Sequence, residues 1–241
     1  MRRREDGSGA PGALTRATAP AYYPPMPRTI LVTEGDSPLG ATLARLFLGR
    51  GYSVVTTHER ATSEPAPAGG AGRASLAVTW NRRSPVSART VVLSALNAFA
   101  SLDEVLILEP PSGSPAALAD TASADIEAAL DSVKGPAFLG RELWAHFLRQ
   151  GRGVMAWVSL GPWQGPLQAG VREGFRGMAS AVLAEKVEPG LIANAFRTES
   201  VDTAEYAAFI DRTLEEKARS LSGRWFSCPQ RGGFFPGRNP R

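Results

Sequence analysis

Short apolar runs alternate along this chain with longer stretches in which apolar residues recur every three or four positions. Thr29-Ile30-Leu31-Val32-Thr33 is the first run and ends in Glu34-Gly35-Asp36-Ser37-Pro38; a β-branched run closed by turn formers predicts a buried strand leaving a sheet. Leu39, Leu43, Leu46 and Phe47 then repeat at helical spacing as far as Gly51, a C-terminal cap signal. The same reasoning predicts strands over 52–57, 75–80, 105–108, 154–159, 191–196 and 223–226, and helices over about 85–101, 123–150, 167–185 and 203–218. A Gly-, Ala- and Pro-rich loop over 63–72 interrupts the series. Most of these strands are apolar throughout, so both sheet faces should be covered. The expected fold is α/β, a doubly wound parallel sheet of about seven strands with helices on both faces. Its ligand crevice should lie beyond the carboxyl ends of the strands.

Composition sharpens this picture at the ends of the chain. Residues 1–27 and 229–241 are rich in Gly, Pro and Arg with no period, so they read as tails, the first of them flexible, around one domain over 28–228. With 43% hydrophobic and 21% charged residues, the rest should fold. The formal net charge of +4 is concentrated in Arg2, Arg3, Arg4, Arg231, Arg238 and Arg241, leaving no basic stripe for nucleic acid. A single cysteine, Cys228, excludes an intramolecular disulfide and suits a reducing cytoplasm. His58 and His146 lie far apart with no Cys or carboxylate at ligand spacing, so no metal is expected and His146 reads as packing. The basic start has no apolar region after it and no long apolar run occurs, so neither secretion nor a membrane span is expected.

The segment Thr33-Glu34-Gly35-Asp36-Ser37-Pro38-Leu39-Gly40, set between a strand and a helix, resembles the phosphate loop Thr-Gly-x-x-x-Gly-x-Gly of the short-chain dehydrogenase/reductase family. Further likenesses follow in order over roughly 28–228. Val133-Lys134-Gly135-Pro136 resembles the family's mid-helix Asn-x-x-Gly segment, and 154–159 the strand that ends in its Ser. Leu183-Ala184-x-Lys186 with Ile192-Ala193-Asn194-Ala195 resembles "Leu-Ala-x-Glu … Val-Asn", and Leu221-Ser222-Gly223 the closing Thr-Gly turn. The resemblance implies a Rossmann-like fold and descent from NAD(P)-dependent oxidoreductases acting on carbonyls or alcohols.

The chemistry carries over less well. In that family a Tyr exchanges the substrate proton, a Lys one turn later lowers its pKa and holds the ribose, a Ser orients the carbonyl, and an Asn anchors a relay water. Counted back from Gly177, the Tyr position falls on Gln168 and the Lys position on Arg172; the Asn position falls on Ser132, and Ser159 alone matches. An amide has no proton to exchange near neutral pH, so Gln168 cannot serve as the acid or base. In the phosphate loop, Glu34 and Pro38 replace glycines and Gly40 is retained. Proline removes an N–H donor, and Glu34 with Asp36 brings carboxylates toward the place of a dianion. The residues left for a cofactor are Gly35, Ser37, Gly40 and Arg60, the last near a 2′-phosphate position. In a second arrangement Glu34 and Asp36 face solvent and Gly35 takes over the close approach. Glu109-Pro110-Pro111 and Thr198-Glu199 replace two further cofactor-side segments. Cofactor binding is expected to be absent or limited to weak NAD(P).

Ser159 reads as a relic capping the next turn, Gln168 and Arg172 as one-turn neighbours able to bond each other or a partner chain, and Trp157 and Trp163 as packing. The expected role is that of a non-catalytic subunit or oligomer partner. Two alternatives stand beside it: an active oxidoreductase in which Ser159 and Arg172 polarise the substrate, and a ligand sensor without turnover. In the family, partners join through the two long helices, here about 123–150 and 167–185. That implies a homo-oligomer, or a hetero-oligomer with an active relative, through Leu130, Phe138, Leu143, Phe147, Phe175, Met178 and Val182.

Overall fold

The computed structural model describes residues 27–60, 74–111, 116–161, 165–185, 188–199 and 202–229. The expected tails, apart from Pro27 and Pro229, lie outside the described residues, as do the 63–72 loop, Trp163 and Lys186. The strands are β1 Thr29–Val32, β2 Ser53–His58, β3 Ser75–Thr79, β4 Glu104–Leu108, β5 Gly153–Ser159, β6 Leu191–Arg197 and β7 Arg224–Ser227. The helices are α1 Pro38–Gly49, α2 Pro85–Phe99, α3 Ser123–Gln150, α4 Pro166–Ala184 and α5 Thr203–Thr213. The strands form one seven-stranded sheet in the order β3-β2-β1-β4-β5-β6-β7, and every pair is parallel.

Two cores follow from this winding. On one face Leu39, Leu43 and Phe47 of α1 pack with Tyr206 and Ile210 of α5 over Ile30, Val32 and Leu106. On the other, α2, α3 and α4 cover Leu31, Val105, Ile107 and Trp157. The apolar runs are apolar because both faces are buried: all residues of β1 and β4 are buried, including the polar Thr29 and Glu104. The chain winds outward from β1 to β3, crosses back to β4, and winds outward again to β7. Strand order therefore reverses between β1 and β4, and the crevice opens beyond their carboxyl ends.

Three sequence expectations change. Tyr52 precedes β2 and tucks its ring against Phe47 at 5.5 Å, outside the ladder. The last helix stops at Thr213 and continues as one π-helical turn, Leu214–Ala218. Leu143, Phe147 and Phe175, expected on an oligomer surface, are fully buried within one chain. The reason is that α3 is covered by the sheet and by both neighbouring helices, α2 and α4. Leu130 on α3 is exposed, while Phe138, Met178 and Val182 are partly buried.

Candidate functional site

The β1–α1 turn is built as tightly as a phosphate loop. Glu34 takes φ 56°, a left-handed conformation that glycine adopts at least cost. A Cβ at Gly40 would lie 2.1 Å from the Glu34 carbonyl oxygen, so glycine is required there. Ser37 caps α1 by accepting from the Gly40 N–H at 3.0 Å, and Pro38 opens the helix. The amides of this turn are largely engaged inside the protein. Gly35 N–H donates to the Thr57 carbonyl, Ser37 N–H to the Glu34 carbonyl, and Glu34 N–H to Thr57 Oγ1.

Both loop carboxylates are held. Glu34 turns inward, buried, and accepts from Arg82 through Nε at 3.2 Å and through Nη2. Burial pushes its carboxyl above the usual range, opposed by the Arg82 charge and hydrogen bond. Asp36 is exposed and pairs with His58 Nδ1 at 2.7 Å. The arrangement in which both carboxylates face solvent does not occur. A Cβ at Gly35 would come within 2.8 Å of the His58 ring, so this glycine serves close packing.

At the β4 and β5 ends, Ser159 Oγ donates to Glu109 Oε2 at 2.7 Å and accepts from Arg176 Nε at 2.8 Å. The Leu160 N–H donates to the same Glu109 oxygen at 3.0 Å, and Arg176 reaches Glu199 with Nη2 at 3.3 Å. Ser159 thus braces side chains from the β4 end and α4. Burial raises the Glu109 carboxyl, countered by the Ser159 and Leu160 hydrogen bonds and by the Arg176 and Arg172 charges. Tyr206 donates its hydroxyl to the Ser159 carbonyl at 3.0 Å from beneath the crevice. Burial pushes that phenol well above its ordinary value, and its proton is given to a backbone carbonyl.

Of the other expected residues, Arg172 lies at the same end, its charge acting on Glu109 and its Nη1 beside Gly161, while Ser132 and Arg60 are held elsewhere. Ser132 is buried and donates to the Ala128 carbonyl of its own helix, one turn back, at 3.0 Å. Arg172 lies 3.4 Å from its neighbour Glu173, and Arg60 is exposed just past β2. Gln168 sits half-buried in the first turn of α4. Arg176, which makes the contact to Ser159, escaped the sequence reading. Its only signal is that it continues the one-turn series Gln168, Arg172, Arg176 along one helix face. Trp157 and His146 are buried packing residues. Among the described residues, no group of three or more His, Cys, Asp or Glu could hold a metal, and no helix is long and apolar enough to cross a membrane.

No family model matches the sequence, and a search of curated proteins finds no match either. Solved structures do match. ElxO with NADP bound superposes with a TM-score of 0.72 at 16% identity, over 84% of this chain and 97% of that one. A 3-ketoacyl-(acyl-carrier-protein) reductase from Brucella melitensis, complexed with NADH, gives 0.71 at 17% identity over 83% and 96%. An NADH-dependent reductase of alginate metabolism gives 0.71 at 13% identity over 83% and 95%. The chain has the short-chain dehydrogenase fold. Within that fold, the β1–α1 turn and the β4 and β5 ends line the crevice beyond the strand ends, where this architecture receives its ligands. The residues here do not fit NAD(P) well. A carboxylate takes the first glycine position, the turn's amides are engaged, and Glu109 lies buried between the β4 and β5 ends.

On the outer surface, α3 and α4 leave an apolar groove lined by Gly140, Trp144, Leu148, Trp157, Met178 and Val182. Leu148 is 47% exposed at its rim.

Proposed function

We propose that this chain is a non-catalytic protein of the short-chain dehydrogenase fold that acts by association, as a homo-oligomer or as the partner of an intact relative. The observation that carries the reading is the Ser159 hydroxyl, committed on one side to Glu109 and on the other to Arg176. Hydride transfer to a carbonyl needs a proton donor of matched pKa beside that hydroxyl. Gln168 has no such proton, and the Tyr206 phenol is buried and committed to a backbone carbonyl. Among the fold's neighbours, ElxO binds NADP and the 3-ketoacyl-(acyl-carrier-protein) reductase binds NADH; in this chain any dinucleotide affinity is weak, on the order of 1 mM. The α3–α4 groove is the association surface, since its apolar walls survive the loss of the crevice chemistry. A cytoplasmic setting suits a chain with one cysteine.

The test combines two measurements on purified wild-type protein. NADH and NADPH are titrated against the fluorescence of its five tryptophans, and sedimentation is followed at tens of micromolar alone and with intact relatives. No saturation below millimolar together with a dimer or mixed complex is expected. Micromolar cofactor binding, or a chain that stays monomeric in every mixture, overturns the reading.

A further inference from the structure

We infer that the Glu34–Arg82 ion pair is a built-in plug of the phosphate half of the crevice: the Glu34 carboxylate occupies Arg82 in place of a ligand phosphate, and its removal opens the site to an adenine dinucleotide. The inference rests on the reading that the wild-type crevice is closed, and it concerns the cofactor half alone.

Position comes first. Glu34 lies two residues past the end of β1, at the reversal of strand order and ahead of the α1 N-terminus, where this architecture receives phosphates. The backbone there still has the form of a glycine turn: Glu34 keeps φ 56°, and Gly40 approaches the Glu34 carbonyl too closely for any Cβ. The turn thus carries a carboxylate side chain on a backbone conformation that glycine adopts at least cost.

The partner is equally specific. Arg82, from the β3–α2 connection, meets both Glu34 oxygens, one through Nε and one through Nη2. That planar fork suits a phosphate as well as a carboxylate. Arg82 is also fixed from behind. Its guanidinium lies 5.8 Å from the Trp80 ring, and a Cβ at Gly135 of α3 would stand 2.6 Å from the Arg82 Cβ. The Glu34 and Arg82 side chains are only 6% and 13% exposed. Arg82's other acidic neighbour, Glu59, is 3.8 Å away and 72% exposed. With Glu34 gone, the guanidinium keeps its packing against Trp80 and, among the described residues, has Glu59 as its remaining acidic neighbour.

The test titrates full-length protein with NADPH and with ADP by calorimetry at low salt, after thermal melting confirms folding. Glu34→Gly, which also suits the left-handed backbone, should bind NADPH at least 30-fold more tightly than wild type. Adding Arg82→Ala should remove at least tenfold of that gain. ADP should follow the same order, because the plug faces the phosphates. Glu34→Gln, which keeps the bulk and removes the charge, should gain several-fold and decides the matter if the glycine variant fails to fold. A folded Glu34→Gly protein with unchanged affinity, or a gain indifferent to Arg82→Ala, overturns the plug and leaves the proposed function standing. A wild type that already binds at micromolar levels overturns the closed crevice, while the plug is still judged by the ratio of variant to wild type.

Discussion

Ser159 donates its hydroxyl to Glu109 Oε2 at 2.7 Å, tying the β5 end to the β4 end across the crevice floor. Arg176 completes the brace from α4, so a serine that would face a substrate instead joins two strands and a helix. Both groups are essentially inaccessible. Ser159→Ala should therefore act on stability: it leaves Glu109 with the Leu160 N–H alone and costs about 2 kcal/mol. Urea unfolding checks this, and a change within experimental scatter would show that the brace is slack.

The pH dependence of stability should carry the sign of buried carboxyls. Burial is the leading cause that raises Glu34, Glu109 and Asp211. A carboxyl whose folded pKa exceeds its unfolded value holds its proton more tightly when folded. Its contribution is complete below the ordinary carboxylate range and is lost as pH rises through the raised value. Asp131 and Glu215, lowered chiefly by hydrogen bonds from Lys134 and Arg219, act oppositely and lose their contribution as pH falls. Glu109→Gln removes one component of the first kind. Its stability relative to wild type should increase with pH across the weakly acidic range, as read from urea midpoints; a constant difference would show that Glu109 does not titrate there.

At the opposite end of the sheet, Glu104 is bonded by Arg219 through Nε and Nη2, each at 2.9 Å, and Arg219 also donates to Tyr52 at 2.6 Å. The Glu104 side chain is 4% exposed and that of Arg219 15%, so Glu104→Ala breaks two charge-assisted bonds in a poorly hydrated site and leaves Arg219 to Glu215 and Tyr52. Glu104→Ala should cost about 3 kcal/mol or more, and Glu104→Leu with Arg219→Met distinctly less. Guanidinium unfolding of both variants distinguishes a coupled pair from two independent contacts.

The strand and helix alternation was legible because burial on both faces writes itself into continuous apolar runs, as in Val105-Leu106-Ile107-Leu108. Asn194 was legible only through resemblance; its role emerges from three long-range bonds, to the Ala218 and Leu221 carbonyls and from the Arg224 N–H. The π-helical turn at Leu214–Ala218 was not legible, since apolar spacing does not separate one helical hydrogen-bond pattern from another over one turn. Arg176 was missed because counting motif positions tracks backbone places, whereas a long guanidinium side chain can reach Ser159 from a different turn. Glu34 was seen as a misplaced charge, but its partner Arg82 is 48 residues away, and no local pattern links them.

The surface of α3 was misjudged for a related reason, and the correction yields the sharpest test of assembly. Helical periodicity shows how much of a helix is apolar but not how much its own chain covers, and α3 is enclosed by the sheet, α2 and α4. Phe147 is 0% exposed, and its ring fills the space above Gly153, where a Cβ would lie 2.2 Å away. Phe147→Ala should thus lower the chain's own stability by about 3–5 kcal/mol at any concentration. Leu148, the next residue, is 47% exposed at the groove beside Trp144 and Val182. Leu148→Glu should change stability of the isolated chain by only about 0.5 kcal/mol, yet dissociate an assembly that buries this groove by placing an unpaired charge in it. Sedimentation and thermal melting of the two variants should therefore give opposite results, and a Leu148→Glu protein that associates like the wild type would remove the groove as the meeting surface.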